Sequence, residues 1–538
     1  MRPGDEQIAE MQEQLEAMRQ AENMLFSDDQ LQSSAIDTAF IRSCLYNNER
    51  GDGILFAKVH QGKFVMVKNW GKSGTWLQWT GHHWKIDKKD EAHNAVEAVA
   101  QLYLGESIKI KKVCEDPKTD KEERKKLDRE RNLYLKRVNK LRSVAGARNC
   151  LEWATRIGPL SLAIIGDDID LHPWLLPCSN GVIDLRTAKF SPGRPSDYLL
   201  RAIPVEWQGI DHPCPTYDRF FDEIHLADQE LIDYLDRLFG YTLTGLTTNH
   251  FIGVFLGEGR NGKGTLFETL RYIMGDLAWN ISPELLIEQK NIRSSAGPSP
   301  DLISLQGRRM VIASECDDNR RISGQQVKRL TGGDTINARA PHDRDETNFD
   351  ATWKIFFYSN YIPKGMASGF ALADRLVYVQ YPLKFVENPD PDDPTQRPRD
   401  PELPAKLKSE AAGILARLVR GCIAFQEMGG LHPPETIKAA VSQLQKSEDT
   451  FRQFFEEMVE PVLDPRDPKQ LDQEARVAFK DLYGAFSTWY HDEVSEVDKY
   501  RPTKKAVSAW LEKHGYERRK PSGVATVYGI KLLIGGDL

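Results

Sequence analysis

The chain has 538 residues, of which 40% are hydrophobic and 28% charged, a size and composition that suit roughly three or four folded, soluble domains. Its formal net charge of −7 excludes a globally basic nucleic-acid-binding protein, so any nucleic-acid site has to be a local basic surface. No apolar run approaches the ~20 residues of a membrane helix, and the seven cysteines lack zinc-site spacing, which predicts a cytoplasmic protein with reduced thiols and no membrane partner.

Residues 1–145 are predicted to form an α+β region. Apolar residues at helical spacing predict a helix over 5–26. The stretch Thr75–Trp84 predicts two short strands that turn at Gly81, with tryptophan side chains packed inward. Stacking of these tryptophans on nucleic-acid bases is the less favoured alternative. A charged, solvated helix is predicted over 118–142.

A glycine-rich stretch, Gly257-Glu-Gly-Arg-Asn-Gly-Lys-Gly-Thr265, lies between a strand-like apolar run and a helix-like segment. That order is the context of a phosphate-binding P-loop, in which backbone N–H groups and a lysine bind the phosphates of ATP. A hydroxyl residue usually follows the lysine directly; Gly264 stands there, so Thr265 is the expected ligand of Mg²⁺. The predicted nucleotide-contacting residues are Gly257, Gly259, Asn261, Gly262, Lys263, Gly264 and Thr265.

A second predicted strand, Arg309–Ser314, ends in the acid Glu315 and is expected to lie beside the P-loop strand. In P-loop ATPases the acid at this position meets Mg²⁺ or the attacking water. Glu315 is therefore the candidate for polarising the water. The position before it, often an acid, is Ser314, so the candidate metal ligands are Thr265, Glu315 and Asp317, together with water.

The next segment is predicted to form a helix and a β-hairpin. Ser323 is expected to cap the helix, and Gly332-Gly333 to end it. The strands Thr335–Arg339 and Thr352–Ser359 are predicted to pair with each other, with a polar, partly basic tip at Pro341–Asp345.

Two polar residues complete the predicted catalytic set of Lys263, Glu315, Asn360 and Arg375. Asn360 follows the second strand of the hairpin, where its amide could orient the attacking water. Arg375 precedes another apolar strand and could stabilise transition-state charge in its own or a neighbouring subunit. In known cases such an arginine contributes about 10³–10⁵ in rate.

The last eighty or so residues predict a helix over 475–491, a second helix within Arg501–His514 capped by Thr503, and two β-like runs. Helix, helix and β-wing is a winged-helix arrangement. Its second helix is expected in a major groove of duplex DNA, with protein contacts as the alternative. The residues predicted to contact duplex phosphates are Lys504, Lys505, Arg518, Arg519 and Lys520.

Together these motifs resemble superfamily 3 helicases of the phage/plasmid and poxvirus primase-helicase type. The P-loop is similar to the Walker A motif of that family, and Ser314-Glu315 to its Walker B motif. Lys328–Arg339 resembles its B′ motif, which is the most specific part, Tyr358–Asn360 its motif C, and Arg375 occupies its arginine-finger position. The resemblance covers roughly residues 150 to 535.

The resemblance implies a multidomain α/β chain with an AAA+-like P-loop core, a mostly parallel sheet and a C-terminal winged helix. It also implies a ring, expected to be a homo-hexamer, that hydrolyses ATP with Mg²⁺ and moves along single-stranded or forked DNA in the cytoplasm of a bacterial host. No paired-carboxylate pattern precedes the helicase-like region, which predicts no primase activity in this chain and a separate primase or polymerase as a possible partner. The residues expected to contact single-stranded DNA are Lys328, Arg339, His342 and Arg344.

The motifs divide the chain into five predicted regions. They are an N-terminal α+β region that could serve oligomerisation or DNA entry (1–145), a helicase-associated region (146–245), the ATPase core (246–390), a linker and helical lid (391–460) and the winged helix (461–538).

Two alternative functions remain open at the level of sequence. An origin-binding replication initiator would use its ATP site to control assembly and would bind duplex DNA sequence-specifically. A P-loop nucleotide kinase would share Gly-Lys-Gly-Thr, but it does not account for Lys328–Arg339 or the hairpin.

Overall fold

The computed structural model describes residues 36–288, 299–314, 320–339, 347–367, 370–464, 467–494 and 501–533. These residues form a mixed α/β multidomain structure around a five-stranded parallel sheet. None of their helices has the length and apolar character needed to cross a membrane. The predicted helix over 5–26 and the predicted site residues Glu315, Asp317, His342 and Arg344 lie outside the described residues.

The first segment combines helices with a four-stranded sheet of order β3-β2-β1-β4. Its elements are α1 (Thr38–Tyr46), α2 (Asn48–His60), β1 (Phe64–Val67), β2 (Thr75–Trp79), β3 (Trp84–Ile86), α3 (Glu91–Asn94), α4 (Val96–Glu115), α5 (Lys121–Leu141), α6 (Val144–Ala154) and β4 (Ala163–Ile164). Gly81, at φ +106°, turns the chain between β2 and β3, and Trp84 is only 1% exposed. The tryptophan hairpin therefore packs inward, as its sequence predicts.

Helix α5 is the predicted charged helix. It lies along α4 and buries one stripe of side chains that includes Tyr134, Val138 and Leu141, while most of its charged residues stay exposed. The half-buried Arg137 forms an ion pair with the buried Asp52 of α2, which ties the two helices together.

A three-stranded antiparallel sheet and two helices connect this segment to the P-loop. They are β5 (Leu175–Cys178), β6 (Gly181–Asp184), β7 (Lys189–Ser191), α7 (Pro215–Ile224) and α8 (Gln229–Thr242). Leu238 and Phe239 of α8 lie in the same hydrophobic core as Phe255 and Phe267 of the P-loop region. Side chains of this connecting segment thus pack against the strand and the helix that flank the glycine-rich loop.

The central sheet has the order β14-β8-β13-β10-β9, and all of its strands run parallel. Its strands and the neighbouring helices are β8 (Ile252–Leu256), α9 (Lys263–Met274), β9 (Ala278–Ile281), α10 (Pro300–Ile303), β10 (Met310–Ser314), α11 (Gly324–Thr331), β13 (Lys354–Ser359), α12 (Phe370–Ala373) and β14 (Leu376–Gln380). The inner strands are continuous apolar runs because helices and loops cover both faces of a parallel sheet.

The central sheet corrects one prediction. The strand β10, which ends before Glu315, does not lie beside the P-loop strand β8, because β13 lies between them. Neighbours in a parallel sheet are set by the crossover connections, which motif order along the chain does not reveal.

The hairpin corrects a second prediction. Strand β11 (Thr335–Ala338) pairs with β12 (Thr347–Asp350), in the register Ile336 with Phe349, and not with residues 352–359. Those later residues form β13, whose side chains are nearly all buried, and this suits the middle of a parallel sheet. The exposed, alternating residues of β12 suit a surface ribbon.

After the central sheet the chain becomes largely helical. A parallel strand pair, β15 (Lys384–Val386) and β16 (Gln396–Pro398), flanks the Pro/Asp-rich stretch and is followed by α13 (Leu403–Ser409), α14 (Ala411–Glu427), α15 (Glu435–Glu448) and α16 (Thr450–Met458). Helix α14 packs along α8, where a Cβ at Gly240 would lie 2.1 Å from the Cys422 backbone nitrogen. This close approach holds α14 against α8, which packs in the same hydrophobic core as the P-loop region.

The C-terminal segment has its own core, built around Phe451, Phe486 and Val527. Its elements are β17 (Val459–Pro461), β18 (Leu463–Asp464), β19 (Asp467–Leu471), β20 (Arg476–Ala478), α17 (Phe479–Glu493), α18 (Lys504–Lys513), β21 (Arg518–Arg519), β22 (Thr526–Tyr528) and β23 (Ile530–Leu532). The two helices occur near their predicted positions, and Thr503 caps α18 by accepting from the Ala506 N–H at 3.3 Å. Strand β22 pairs with β20, which precedes the two helices, and with β21, which follows them, so one small sheet contains strands from both sides of the helix pair.

Candidate nucleotide-binding site and nucleic-acid interface

The P-loop turns from strand to helix as its sequence predicts. β8 ends at Leu256, and α9 begins at Lys263. Gly262, at φ +89°, makes the turn, and a Cβ there would lie 2.7 Å from Cγ2 of Ile224. Oδ1 of Asn261 accepts from the Lys263 N–H at 3.4 Å, whereas the following N–H groups of the first turn have no capping side chain and are available to an anion.

The Lys263 side chain folds back over the loop. Its ammonium donates to the Gly257 carbonyl at 2.5 Å and to Oδ1 of Asn261 at 2.9 Å. The side chain is buried, and burial lowers its pKa from 10.5 to about 8. A buried ammonium that is satisfied only by neutral oxygens gains a strong partner when a phosphate arrives.

Asn261 connects the loop to the end of β14. Its Oδ1 accepts from Lys263, and its Nδ2 donates to the Tyr381 carbonyl at 3.4 Å. A Cβ at Gly257 would lie 2.2 Å from Nδ2 of Asn261 and 2.4 Å from the Tyr381 oxygen, so only glycine fits there. The glycine and the asparagine of the motif thus depend on each other.

Gly264 and Thr265 lie on the open side of the first helical turn. A Cβ at Gly264 would meet nothing within 4 Å, and a cavity of about 930 Å³ begins at these two residues and extends along α9. Thr265 is half-buried, and its hydroxyl has no hydrogen-bond partner among the described residues. The hydroxyl is therefore free for a ligand.

The described residues fit a nucleoside triphosphate with Mg²⁺. The uncapped helix N-terminus, the lysine that is short of a charged partner and the free Thr265 hydroxyl converge at one end of α9. A Cβ at Gly259, like one at Gly264, would meet nothing within 4 Å, so the loop is open on its outer side. The expected metal ligands Glu315 and Asp317 lie outside the described residues.

Asn360 lies beside the P-loop, at the carboxyl edge of the sheet. Strand β13 pairs directly with β8, with Ser359 opposite Leu256, so Asn360 follows its strand at the level where Gly257 follows its own. Its side chain is exposed. β10 ends at Ser314, opposite Tyr358, at the same edge of the sheet.

Arg375 lies at the other edge. It precedes β14, whose Leu376 pairs with Ile252, and its carbonyl accepts from the Ile252 N–H at 2.8 Å. It is thus level with the start of β8, whereas the P-loop follows the end of that strand. Six residues of extended chain separate the two levels by about 20 Å, more than an arginine side chain spans.

Of the residues predicted to contact single-stranded DNA, Lys328 lies at the amino edge, where its carbonyl accepts from Arg375 at 3.0 Å. Its side chain is exposed on α11. Arg339 directly follows β11, and its backbone is tied to Ser299 through the Ser299 N–H and hydroxyl, at 2.9 and 3.2 Å. The hairpin tip with His342 and Arg344 lies outside the described residues.

The predicted duplex-contacting cations of the C-terminal segment differ in their surroundings. Lys504, Lys505 and Lys520 are exposed. Arg519 forms an ion pair with Glu517 and lies 5.2 Å from the ring of Tyr528, and Arg518 lies 5.0 Å from the ring of Phe479. Lys504 lies 5.4 Å from the ring of Tyr483, so Lys505 and Lys520 are the more available charges.

Two contact residues escaped the sequence analysis. Thr331 accepts a hydrogen bond from Arg375. The sequence indicates only that Thr331 belongs to the motif Leu-Thr-Gly-Gly-Asp, not that it contacts the arginine. Tyr381 accepts the hydrogen bond of Asn261 through its backbone carbonyl, a contact that no sequence pattern predicts. Its hydroxyl is hydrogen-bonded to Nε2 of the buried His225 at 2.8 Å.

Comparison with known proteins finds similarity to viral proteins that are named as putative helicases. Residues 54–226 match the family described as "D5 N terminal like", and residues 255–374 match a family of unknown function (DUF5906). "Putative helicase L207/L206" of Acanthamoeba polyphaga mimivirus is 24% identical over 447 residues, which are 80% of this chain and 45% of that protein. "Putative helicase 121R" of Invertebrate iridescent virus 3 is 26% identical over 393 residues, 66% of this chain and 40% of that protein.

The chain therefore spans less than half the length of these curated relatives. Among solved structures, "The apo structure of NrS-1 C terminal region (305-718)" covers 69% of this chain and 85% of its own, at 14% identity and a TM-score of 0.40. The family and sequence matches confirm the resemblance to superfamily 3 helicases of the primase-helicase type.

Proposed function

From this similarity to viral helicases, we propose that the chain is an ATP-dependent replicative DNA helicase that forms a ring and translocates on single-stranded DNA. The proposal includes an AAA+-like ATPase core, ATP and Mg²⁺ as cofactors, and single-stranded or forked DNA as the partner. A homo-hexamer is the expected ring, and primase activity is not expected of this chain.

The observation that carries the proposal is the placement of Arg375. This arginine and the subunit's own P-loop lie at opposite edges of the sheet, about 20 Å apart. Arg375 is thus unable to serve the ATP that its own Lys263 would hold, and a role in hydrolysis requires a neighbouring subunit. This placement supports hydrolysis between the subunits of a closed ring.

Each subunit would bind its nucleotide with its own carboxyl-edge residues. Lys263 and the first N–H groups of α9 would hold the phosphates, and Thr265 would hold Mg²⁺ with Glu315 and Asp317 as further candidates. Mg²⁺, when bound there, would supply positive charge that neutralises the charge developing on the phosphates. Asn360 is placed beside the P-loop to orient the attacking water, and Glu315 is the candidate for polarising it.

DNA would contact the amino-edge residues instead. Lys328 and the hairpin β11–β12 lie there, and the hairpin tip carries His342 and Arg344. In a ring, a few cations per subunit converge on one axis, so an acidic chain is able to hold a polyanion. Such contacts with the sugar–phosphate backbone are sequence-tolerant and weaken with salt.

The C-terminal segment supports a second candidate function, an origin-binding initiator. Lys504 and Lys505 are exposed in the first turn of α18, the helix that would enter a major groove in a winged-helix arrangement. The initiator would bind one duplex sequence tightly and would hydrolyse ATP with little response to single-stranded DNA.

One experiment tests the helicase proposal. ATP hydrolysis with and without single-stranded DNA and unwinding of a forked duplex are measured for the wild type, Lys263→Ala and the double variant His342→Ala/Arg344→Ala. We expect unwinding to be lost in both variants, with basal hydrolysis kept only in the hairpin variant. Hydrolysis that is indifferent to DNA, without unwinding by the wild type, would reject the helicase and favour the initiator.

A further inference from the structure

The guanidinium of Arg375 is bound to the end of helix α11. Its Nη1 donates to the Lys328 carbonyl at 3.0 Å and to the Thr331 hydroxyl oxygen at 2.9 Å. The Thr331 hydroxyl donates its own proton to the Val327 carbonyl at 2.7 Å, so it faces Arg375 as an acceptor. Because the C-terminal end of a helix is negatively polarised, it is a favourable place for a cation.

The remainder of the guanidinium is available to a ligand. Nη1 uses both of its N–H groups on α11, whereas Nε and Nη2 have no hydrogen-bond partner among the described residues. These remaining donors lie in one plane, the geometry that pairs with a phosphate through two parallel hydrogen bonds. The contacts with Thr331 and Lys328 therefore orient a free phosphate-binding face.

The same helix end is the base of the β11–β12 hairpin. Gly333, at φ +73°, makes the turn into β11, and a Cβ there would lie 3.2 Å from the Thr247 hydroxyl. On the other side, the Trp353 indole N–H donates to the Leu330 carbonyl at 3.1 Å. The last turn of α11 and the following Gly333 thus contact the segments that lead into β8, β13 and β14. A shift of the hairpin base would therefore displace the end of α11, to which Arg375 is hydrogen-bonded.

We propose that Thr331 is a positioning residue for Arg375, and that α11 transmits DNA binding at the hairpin to the orientation of Arg375 in the ATP site of the next subunit. This inference rests on the proposed function. DNA that pulls on the hairpin moves the C-terminal turn of α11, and Arg375 turns with it toward or away from the neighbouring phosphate. By linkage, nucleotide bound next to Arg375 biases the hairpin in return.

The test compares Thr331→Val with Thr331→Ser. Valine keeps the shape of threonine and loses the hydroxyl, whereas serine keeps the hydroxyl. We expect Thr331→Val to lower the DNA-stimulated kcat for ATP about tenfold, the effect of one hydrogen bond to a charged group, with KM for ATP within about twofold of wild type. Thr331→Ser should retain most of the DNA stimulation.

Thr242→Val is the matched control. Thr242 is also buried and donates to the carbonyl four residues earlier, Leu238, at 2.8 Å, but among the described residues no arginine donates a hydrogen bond to its hydroxyl. Its variant should keep DNA stimulation, so a loss specific to Thr331→Val does not come from the helical hydrogen bond. Arg375→Lys, which keeps the charge but loses the planar fork, should reproduce the loss with Thr331 intact and covers the case that Thr331→Val unfolds.

Two results distinguish failure of this inference from failure of the proposed function. Normal DNA stimulation in Thr331→Val, or equal losses in Thr331→Val and Thr331→Ser, overturns the positioning role while unwinding by the wild type stands. Mixing Lys263→Ala with Arg375→Ala subunits should restore part of the hydrolysis that each variant lacks. If mixing restores nothing and the wild type does not respond to DNA, the helicase proposal itself fails.

Discussion

Asn261 accepts a hydrogen bond from the Lys263 ammonium at 2.9 Å and donates one to the Tyr381 carbonyl, so a single amide joins the lysine of the glycine-rich loop to the end of strand β14. The lysine is thereby held over the loop before any nucleotide binds. Pre-organisation of this kind reduces the entropy cost of binding.

The first prediction concerns Asn261→Ala. The change removes both hydrogen bonds and leaves a buried ammonium with one acceptor fewer, so we expect ATP affinity to fall about tenfold. Calorimetric titration with a non-hydrolysable ATP analogue measures the change. Asn249→Ala is the control, because the half-buried Asn249 side chain donates to the hydroxyl of its neighbour Thr248, at 3.3 Å, and is not part of the glycine-rich loop; equal losses in the two variants would contradict the role of Asn261.

The second prediction is a pH dependence that originates at Lys263. Burial lowers its pKa to about 8 in the free protein, whereas a bound phosphate favours the charged form and raises the pKa. Above pH 8 the lysine must therefore take up a proton on binding, and affinity for ATP should fall by up to about tenfold per pH unit. The same shift makes the free protein more stable as pH rises from 8 toward 10.5, because the unfolded chain then holds the extra proton.

Lys263→Arg provides the control for this pH dependence. A guanidinium stays charged through this range, so the variant's ATP affinity, although weaker, should stay flat between pH 7 and pH 9. Titration in two buffers of different ionisation enthalpy would reveal the uptake of a proton directly. A decline in affinity that is as steep in Lys263→Arg as in the wild type would assign the effect to another group.

The third prediction uses the open space at Gly264. Because a Cβ there meets nothing within 4 Å, Gly264→Ala should stabilise the nucleotide-free protein by about 0.5–1 kcal/mol, the usual gain over glycine within a helix. Gly264→Ser adds a hydroxyl directly after Lys263. This is the usual position of the metal-binding hydroxyl, whose role is proposed here for Thr265. We expect the serine variant to reach half-maximal ATPase activity at a lower Mg²⁺ concentration than the alanine variant, and identical Mg²⁺ curves would contradict a metal site at this turn.

Features that depend on neighbouring residues could be predicted from the sequence. Ser323 and Thr503 were correctly expected to cap their helices, because a cap needs only its own residue and the N–H three positions on. The P-loop was recognisable for the same reason, since its glycines, its lysine and the following helix are contiguous.

Features that depend on topology could not be predicted in this way. Because β13 lies between β8 and β10, Asn360 follows the strand next to the P-loop strand, and β10 is one strand farther away. The order of the motifs along the chain does not indicate this arrangement. The sequence did not reveal that β11 pairs with β12, because the apolar residues of β13 predict a strand more strongly than the residues of β12 do. The apolar side chains of β13 lie in the central sheet instead. The opposite-edge position of Arg375 likewise follows only from knowing which strands are neighbours.

The last prediction separates the cations of the C-terminal segment by their surroundings. Lys504, Lys505 and Lys520 are exposed, whereas Arg519 forms an ion pair with Glu517 and lies over the ring of Tyr528. Each lysine that contacts a phosphate releases about one counterion, so a triple Lys→Ala variant should lower the salt slope of duplex binding by about 2–3 in log–log form.

Arg519→Ala should change the slope by less than one such contact, because its charge is already paired. Duplex binding measured by fluorescence anisotropy between 50 and 200 mM salt, a range over which phosphate contacts weaken strongly, would supply the slopes. A triple lysine variant with the wild-type slope would show that this surface does not bind duplex phosphates, and would favour protein contacts for the C-terminal segment. A large effect of Arg519→Ala alone would show that the ion pair with Glu517 opens on DNA, which places β21 rather than α18 at the centre of the interface.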